Sequence, residues 1–172
     1  MTASRILAID PGTTTGWAVG QVGEPDTCGA WHLPHTKGRA GLRFAAFRAE
    51  LARVLPGAGL VVFEQVARHE GTAAAHVYGG LVAILSEACE GLSIPYAGYI
   101  PSRIKKHATG HGGAHKPAMI ASARARACWA RLDVTDDNVA DALWLLDLAR
   151  VSPPPLPAWS PQRRRGTRRN VR

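Results

Sequence analysis

The pattern that most constrains this chain is a short apolar strand that ends in a carboxylate. Ile6–Ile9 is a continuous apolar run, which is typical of a strand buried on both faces of a sheet. Asp10 follows directly, and a buried carboxylate is costly unless it is paired, hydrogen-bonded or bound to a cation. Asp10 and Pro11 also fit an ordinary β-turn. Gly12 and Gly16 permit a tight turn whose backbone N–H groups can approach a phosphate or another ligand.

The same pattern returns later in the chain. Leu60–Phe63 is again apolar and is followed by Glu64. Apolar spacing over residues 42–55 predicts a helix between the two strands, and a strand–helix–strand unit favours parallel pairing. That pairing would bring Glu64 close to Asp10. A glutamate that ends a strand is also commonly a solvated loop residue, so the inference depends on the two strands together.

A third acid lies inside a predicted helix that begins at Thr135 or Asp136 and runs to about Arg150. Capping and the helix dipole explain Asp136 and Asp137 at its start. They do not explain Asp141, which lies a turn further in among apolar neighbours. A carboxylate in such surroundings needs a partner, and a metal ion shared with the two strand-end acids would supply one.

The remaining pattern predicts an α/β fold with five strands. A hairpin is expected from two further strands joined by a Gly-Glu-Pro-Asp turn. In a weaker strand, Pro95 indicates either an edge position or the start of the strand. The further predicted strands are 15–20, 27–33 and 93–99, and the further predicted helices are 72–90, 101–107 and 117–132.

Charge indicates the kind of partner. The chain has 172 residues, 21 Lys and Arg against 13 Asp and Glu, a net charge of +8 and a pI of about 10.1. This excess favours a polyanion, either nucleic acid or an anionic membrane surface. We expect no stretch to approach the roughly 20 apolar residues of a membrane span, and the N-terminus lacks a signal-peptide pattern. A cytosolic protein that binds nucleic acid rather than a membrane is therefore predicted.

Two segments remain outside these elements. Residues 153–172 form a Pro/Arg-rich basic tail, predicted to be disordered when free and to clamp phosphates, which leaves residues 1–152 as one domain. His107, His111 and His115 are spaced like metal ligands on a helix, but the intervening glycines argue against a helix there. Three widely spaced cysteines predict neither a disulfide framework nor a zinc knuckle.

Four blocks together resemble the RuvC-type Holliday junction resolvases of the ribonuclease H-like superfamily, and the phage-type members in particular. The resemblance covers most of residues 5–150 and implies an α/β, ribonuclease H-like mixed five-stranded sheet flanked by helices. The blocks are Ile9-Asp10-Pro11-Gly12 with Gly16, Phe63-Glu64-Gln65-Val66, Tyr99-Ile100-Pro101 with Ile104-Lys105 and Gly110–Lys116, and Asn138–Leu143.

The resemblance also implies a metal-dependent endonuclease that resolves four-way junctions by paired symmetric nicks during recombination. It assigns Asp10, Glu64 and Asp141 as metal-binding catalytic carboxylates and Lys116 as a catalytic cation. The family's fourth ligand position falls on Asn138, with Asp137 as the alternative. The implied cofactor is a pair of Mg²⁺ ions, for which Mn²⁺ can substitute.

Branched DNA, chiefly the four-way junction, is the implied substrate of a homodimer formed through the 72–90 helix. The cell compartment would be the cytoplasm of a bacterium or phage-infected host, at the nucleoid. Many members place a base-stacking aromatic where this chain has Ala67. The candidate DNA-binding residues are Lys105, Lys106, Lys116, Arg68, His69, Arg163, Arg164 and Arg165.

Three alternatives remain at this point. Asp10–Thr14 also resembles the phosphate loop of ATPases of the actin and heat-shock chaperone class, although such proteins need two lobes. A non-catalytic protein could bind nucleic acid through the arginine tail alone. A nuclease of the same kind could act mainly on flaps, forks or other branched DNA.

Overall fold

A computed structural model describes residues 5–35, 37–67 and 71–154. Most of the predicted basic tail therefore lies outside the described residues. The elements are β1 (Arg5–Asp10), β2 (Thr14–Gln21), β3 (Thr27–His32), α1 (Gly41–Val54), β4 (Leu60–Glu64), α2 (Thr72–Leu92), β5 (Tyr96–Tyr99), α3 (Pro101–Thr109), α4 (Lys116–Ala125), a 3₁₀ turn (Ala127–Trp129) and α5 (Asp137–Val151).

The strands form one mixed sheet in the order β3-β2-β1-β4-β5. β1 and β3 each pair with β2 in antiparallel fashion, while β4 pairs in parallel with both β1 and β5. The predicted five-stranded mixed sheet flanked by helices is confirmed. β5 lies at an edge, where its flanking proline costs no ladder hydrogen bond.

The sheet separates two apolar cores, and β1 contributes to both. Ile6 and Ala8 face the core formed with α3, α4 and α5, whereas Leu7 and Ile9 face the core formed with α1 and α2. This alternation explains the uninterrupted apolar run of β1 in the sequence.

The central helix of the fold is α5. Every residue from 139 to 149 is buried apart from Asp141, and the helix packs across β1, β2 and β4. Asp136 caps its start, since its Oδ1 accepts from the backbone N–H of Asn138 at 2.7 Å. The packing and the cap together fix the position of the first turn of α5 over the sheet.

Two helix boundaries differ from the sequence prediction. The helix predicted over 117–132 ends at Ala125, because the chain turns to insert Trp129 fully into the core, edge-on to Trp144 at 4.9 Å. α2 continues past Gly91 and ends at Leu92. Ser93 caps it in the left-handed conformation (φ 57°) that glycine more often supplies at this position.

The expectation that no stretch approaches a membrane span was wrong. α2 has 21 residues and a mean hydropathy of 1.2, so by length and composition alone it is apolar enough to cross a bilayer. One such helix is weak evidence, since core helices pass the same test. Leu81, Leu85 and Cys89 of α2 are fully buried against the sheet and α1.

A buried ion pair connects the β2–β3 hairpin to the end of α5. Asp26 accepts hydrogen bonds from both terminal nitrogens of Arg150 and from Trp129 Nε1 at 2.9 Å. Burial alone would raise the pKa of Asp26, but these hydrogen bonds outweigh it and hold the pKa below its ordinary value. Asp26 therefore stabilises the fold in its ionised form.

Asp26→Asn should lower the free energy of unfolding by about 3 kcal/mol at pH 7, because it leaves a partly buried guanidinium without its countercharge. Since the folded pKa is depressed, this stabilisation is complete above the ordinary pKa of 3.8 and is lost as pH falls through the folded value. Urea denaturation from pH 7 to pH 3 should therefore show the two proteins converging. The exposed Glu24→Gln is the matched control, and a constant difference across this range would contradict the prediction.

Candidate active site

The two strand-end acids lie at one edge of the sheet. Ile9 of β1 pairs with Phe63 of β4 in parallel, and Asp10 and Glu64 are the next residue of each strand. The predicted parallel pairing is thus confirmed, and the carboxyl ends of both strands bring their acids to the same place.

The start of α5 reaches this edge because Gly16 has no side chain. Gly16 pairs with Asp10 across β1 and β2. A Cβ atom at Gly16 would overlap the backbone carbonyl of Asn138, so the first turn of α5 lies directly on β2. The sequence predicts Gly16 to be a turn glycine that permits ligand approach, whereas its observed role is to admit the helix that carries Asp137, Asn138 and Asp141.

The carboxylates are close enough to change one another's ionisation. Burial raises the pKa of Asp10 well above its ordinary value, and Glu64, Asp141 and Asp137 raise it further. The pKa of Glu64 rises to about 7, first through burial and then through Asp141. Burial likewise raises the pKa of Asp141 to about 6, with Asp137 adding to the effect. Negative charge is therefore concentrated at this edge.

One atom in the cluster is unsatisfied. Asp141 Oδ1 is buried and has no hydrogen-bond partner. An orphaned carboxylate oxygen beside other carboxylates suits a hard divalent cation, which prefers oxygen ligands. Among residues 5–35, 37–67 and 71–154, no three His, Cys, Asp or Glu side chains form a group that could hold a metal ion as they stand. The acids therefore fit a divalent cation through the chemistry of their oxygen atoms, and not through a preformed ligand geometry.

The two candidates for a fourth ligand are in different environments. Lys116 Nζ lies 2.5 Å from Asp137 Oδ2, and this ion pair raises the pKa of Lys116. Asn138 Nδ2 donates to Asp136 Oδ1 at 2.7 Å, which orients the amide. Asp137 is thus already occupied by a cation, whereas Asn138 keeps its carbonyl oxygen available as an acceptor.

The structure describes only some of the other residues that were predicted to bind DNA. Lys105 on α3 is near enough to offset part of the increase in the pKa values of Glu64 and Asp141. Lys106 is exposed on the same helix, and Ala67 is exposed after β4. Arg68, His69, Arg163, Arg164 and Arg165 lie outside the described residues.

The three histidines do not come together around one point. His107 Nε2 hydrogen-bonds to the buried Asp147 at 2.8 Å. His111 lies in the turn after α3, and His115 precedes the first residue of α4. The glycines between them separate the two helices, as the sequence indicated.

Two positioning residues were not identified from the sequence. The Tyr78 hydroxyl donates to the Glu64 carbonyl at 2.9 Å and accepts from Val66 N–H at 3.0 Å, which fixes the end of β4. The buried Thr15 Oγ1 donates to the Gly12 carbonyl at 2.8 Å and so closes the β1–β2 turn. Neither contact follows from local spacing, although an interior threonine beside a glycine turn is a recognisable signal.

Comparison with solved structures identifies the fold. A Thermus thermophilus RuvC in complex with a Holliday junction substrate matches with a TM-score of 0.68 and 22% identity, over 86% of this chain and 94% of that one. A second Thermus thermophilus RuvC structure matches with a TM-score of 0.66 and 21% identity, over 86% and 96%. No protein-family model and no curated protein matches the chain. The chain therefore has a RuvC-like, ribonuclease H-like fold.

Gly16→Ala should move the first turn of α5 away from Asp10, because the added methyl overlaps backbone that cannot rotate aside. We expect a loss of about 2–3 kcal/mol of unfolding free energy, typical of overpacking. Gly91→Ala is the control, since a Cβ there meets nothing within 4 Å. Thermal denaturation of both variants tests this, and equal stability would show that α5 does not lie directly on Gly16.

Proposed function

We propose that this protein is a metal-dependent, structure-selective DNA endonuclease that resolves four-way junctions by paired nicks during recombination. The supporting observation is the carboxylate cluster of Asp10, Glu64 and Asp141, drawn from β1, β4 and α5 and flanked by lysines. Groups with raised pKa values that share a site are typical of catalytic centres. The solved RuvC with the same fold was captured with a Holliday junction.

Asp10, Glu64 and Asp141 would hold divalent cations, Mg²⁺ or Mn²⁺. We assign the fourth ligand to Asn138, because Lys116 already neutralises Asp137. When bound, two such ions supply an activated water and stabilise the leaving oxygen of a phosphodiester. Binding a cation also offsets the burial and the repulsion that raise the acids' pKa values.

The lysines of the chain act on the phosphate. Lys116, with 76% of its side chain exposed, would offset the negative charge that develops on the phosphoryl oxygens while it stays beside Asp137. Lys105 lies closer to Glu64 and Asp141 and positions the strand at the acids. Lys106 and the tail arginines Arg163, Arg164 and Arg165 would add phosphate contacts that carry no sequence preference. Arg68 or His69 would stack on junction bases in place of the aromatic residue that Ala67 replaces.

The wider setting follows from this substrate. We propose a phage-type resolvase working at the nucleoid, in the cytoplasm of a bacterium or phage-infected host. Residues 1–152 would be the nuclease domain, and 153–172 a basic tail that increases affinity for DNA. A nuclease acting mainly on flaps or forks is the closest alternative, and substrate choice separates the two.

Purified protein with Mg²⁺ or Mn²⁺ should nick a synthetic four-way junction symmetrically and cut flaps, forks and linear duplex more slowly. Asp10→Asn should reduce cleavage at least about 1,000-fold, because it removes a charged ligand from the centre of the cluster. Asp133→Asn, an exposed acid outside the cluster, is the control and should cut normally. Strand products are read on denaturing gels.

Tight junction binding without cleavage in either metal would contradict the nuclease proposal and leave a DNA-binding protein. Cleavage that favours flaps or forks would keep the nuclease and replace its substrate. Chelation by EDTA should abolish cutting, and cutting in EDTA would exclude the metal-dependent reaction.

We further propose that the protein is a homodimer that associates through α2. Only 17% of the most apolar 18-residue window of α2 is buried, so much of an apolar helix faces outward. Gly79 and Ala83 are exposed along this helix, and small residues permit close helix approach. A two-fold dimer would present two equivalent sites to the two-fold symmetric junction.

Ala83→Arg should convert the dimer to a monomer, because it places a charge in the apolar contact. Ala52→Arg introduces the same side chain at an exposed position of α1 and should remain dimeric. Sedimentation equilibrium measures the change, and circular dichroism checks that both variants fold. A wild-type monomer, or an Ala83→Arg dimer, would refute the α2 interface.

A further inference from the structure

A cavity of about 550 Å³ opens beside the candidate active site, on the α1 and α2 side of the sheet. Its floor is the β1–β2 turn that begins at Pro11, the residue after Asp10. Ala73, Ala74, Val77 and Tyr78 of α2 also line it, together with His35 and Arg43. The cavity is mostly apolar and falls in the size range of small-molecule sites.

Arg43 is the charged group of this cavity, and it differs from two other arginines of α1 because no acid among the described residues pairs with it. Its Nε is buried without a hydrogen-bond partner, and within the described ranges no acid pairs with it. The neighbouring α1 arginines are both paired, Arg48 with Glu87 at 2.7 Å and Arg53 with Glu50 at 3.5 Å. A guanidinium that has no acidic partner in the described part of the chain and an unsatisfied Nε, in a mostly apolar cavity, is suited to a planar, anionic partner.

The side chains that line the cavity indicate the chemical class of that partner. An aromatic ring and aliphatic side chains suit the face of a base, and a guanidinium suits a phosphate. Pro11, Gly12 and Thr13, which follow Asp10 in the chain, line the cavity. A nucleotide in the cavity would therefore be a near neighbour of a phosphate held at Asp10. The first turn of α2 begins at Gly71 without a side-chain cap, so its N–H groups add to the positive potential at the cavity rim.

We propose that this cavity holds one unstacked nucleotide of the DNA strand next to the cut phosphate, with its phosphate on Arg43 and its base against Val77 and Tyr78. Arg43 is then a substrate-positioning residue that selects DNA whose strands can open at the branch point. The inference rests on the proposed nuclease function, because it takes the substrate to be DNA held at Asp10.

Two variants on one helix test the role of Arg43. Arg43→Gln should raise the KM for a four-way junction about tenfold, the effect of losing one charge-assisted hydrogen bond, with a smaller change in kcat. Arg53→Gln, which removes an exposed and paired charge of the same helix, should leave both constants unchanged. Arg43→Lys keeps the charge but not the planar fork and should recover only part of the loss.

A base-specific probe reports occupancy without cleavage. Junctions carrying 2-aminopurine at successive positions near the branch point are bound in Ca²⁺ in place of Mg²⁺. One position should brighten with wild type and Arg53→Gln, because its base leaves the stack, and stay dim with Arg43→Gln. An abasic nucleotide at that position should weaken wild-type binding but not further weaken Arg43→Gln, since coupled losses are not additive.

These outcomes separate the two proposals. Normal cleavage with no 2-aminopurine signal, or with the same signal in Arg43→Gln, overturns the cavity assignment and leaves the nuclease intact. An Arg43-dependent signal in a protein that never cuts supports the cavity and overturns the nuclease. If wild type binds no branched DNA, both are overturned.

Discussion

Burial of the carboxylates of Asp10, Glu64 and Asp141 at one edge of the sheet, where like charges also repel one another, is the constraint around which the fold is arranged. The raised pKa values mean that the folded state holds protons that the unfolded chain would release. Stability from this source is greatest at low pH and falls as pH rises through the folded values, about 7 for Glu64 and about 6 for Asp141. At neutral pH the cluster therefore opposes folding, and other packing must offset it.

That packing is concentrated in α5 and its anchors. The helix is buried over nearly its whole length, so moving Asp141 away from the strand-end acids would expose much of a core. Polar contacts of two carboxylates hold the helix further along. Asp26 pairs with Arg150, and Asp147 pairs with Arg126 and hydrogen-bonds to His107. The apolar surface that α5 buries thus keeps like charges near one another.

Features that depend on contiguous residues were predictable from the sequence. Apolar runs ending in Asp10 and Glu64 gave the two central strands and the edge at which their acids meet. The partly buried carboxylate of Asp141 was predictable as a member of the site for the same reason, since an acid among apolar neighbours stands out. These signals are local, and the parallel connection through α1 follows from general rules of chain topology.

Other features depend on residues far apart in the chain. The early end of α4 follows from the burial of Trp129 against Trp144, and no residue pattern near Ala125 predicts it. The contact between Gly16 and Asn138 joins a strand to a helix more than a hundred residues later. The hydroxyl of Tyr78 reaches back to Glu64 from a helix that the pattern identified only by its apolar stripe.

The distribution of cations around the acids connects the fold to its proposed chemistry. Lys105 and Lys116 stand on the α3 and α4 side of the cluster, and Arg43 lines the cavity on the α1 and α2 side. A DNA strand can meet positive charge on both sides, while its phosphate is repelled by the acids in the middle. Only a cation between acid and phosphate removes that repulsion, so the same charges that destabilise the metal-free fold would make substrate binding depend on the metal.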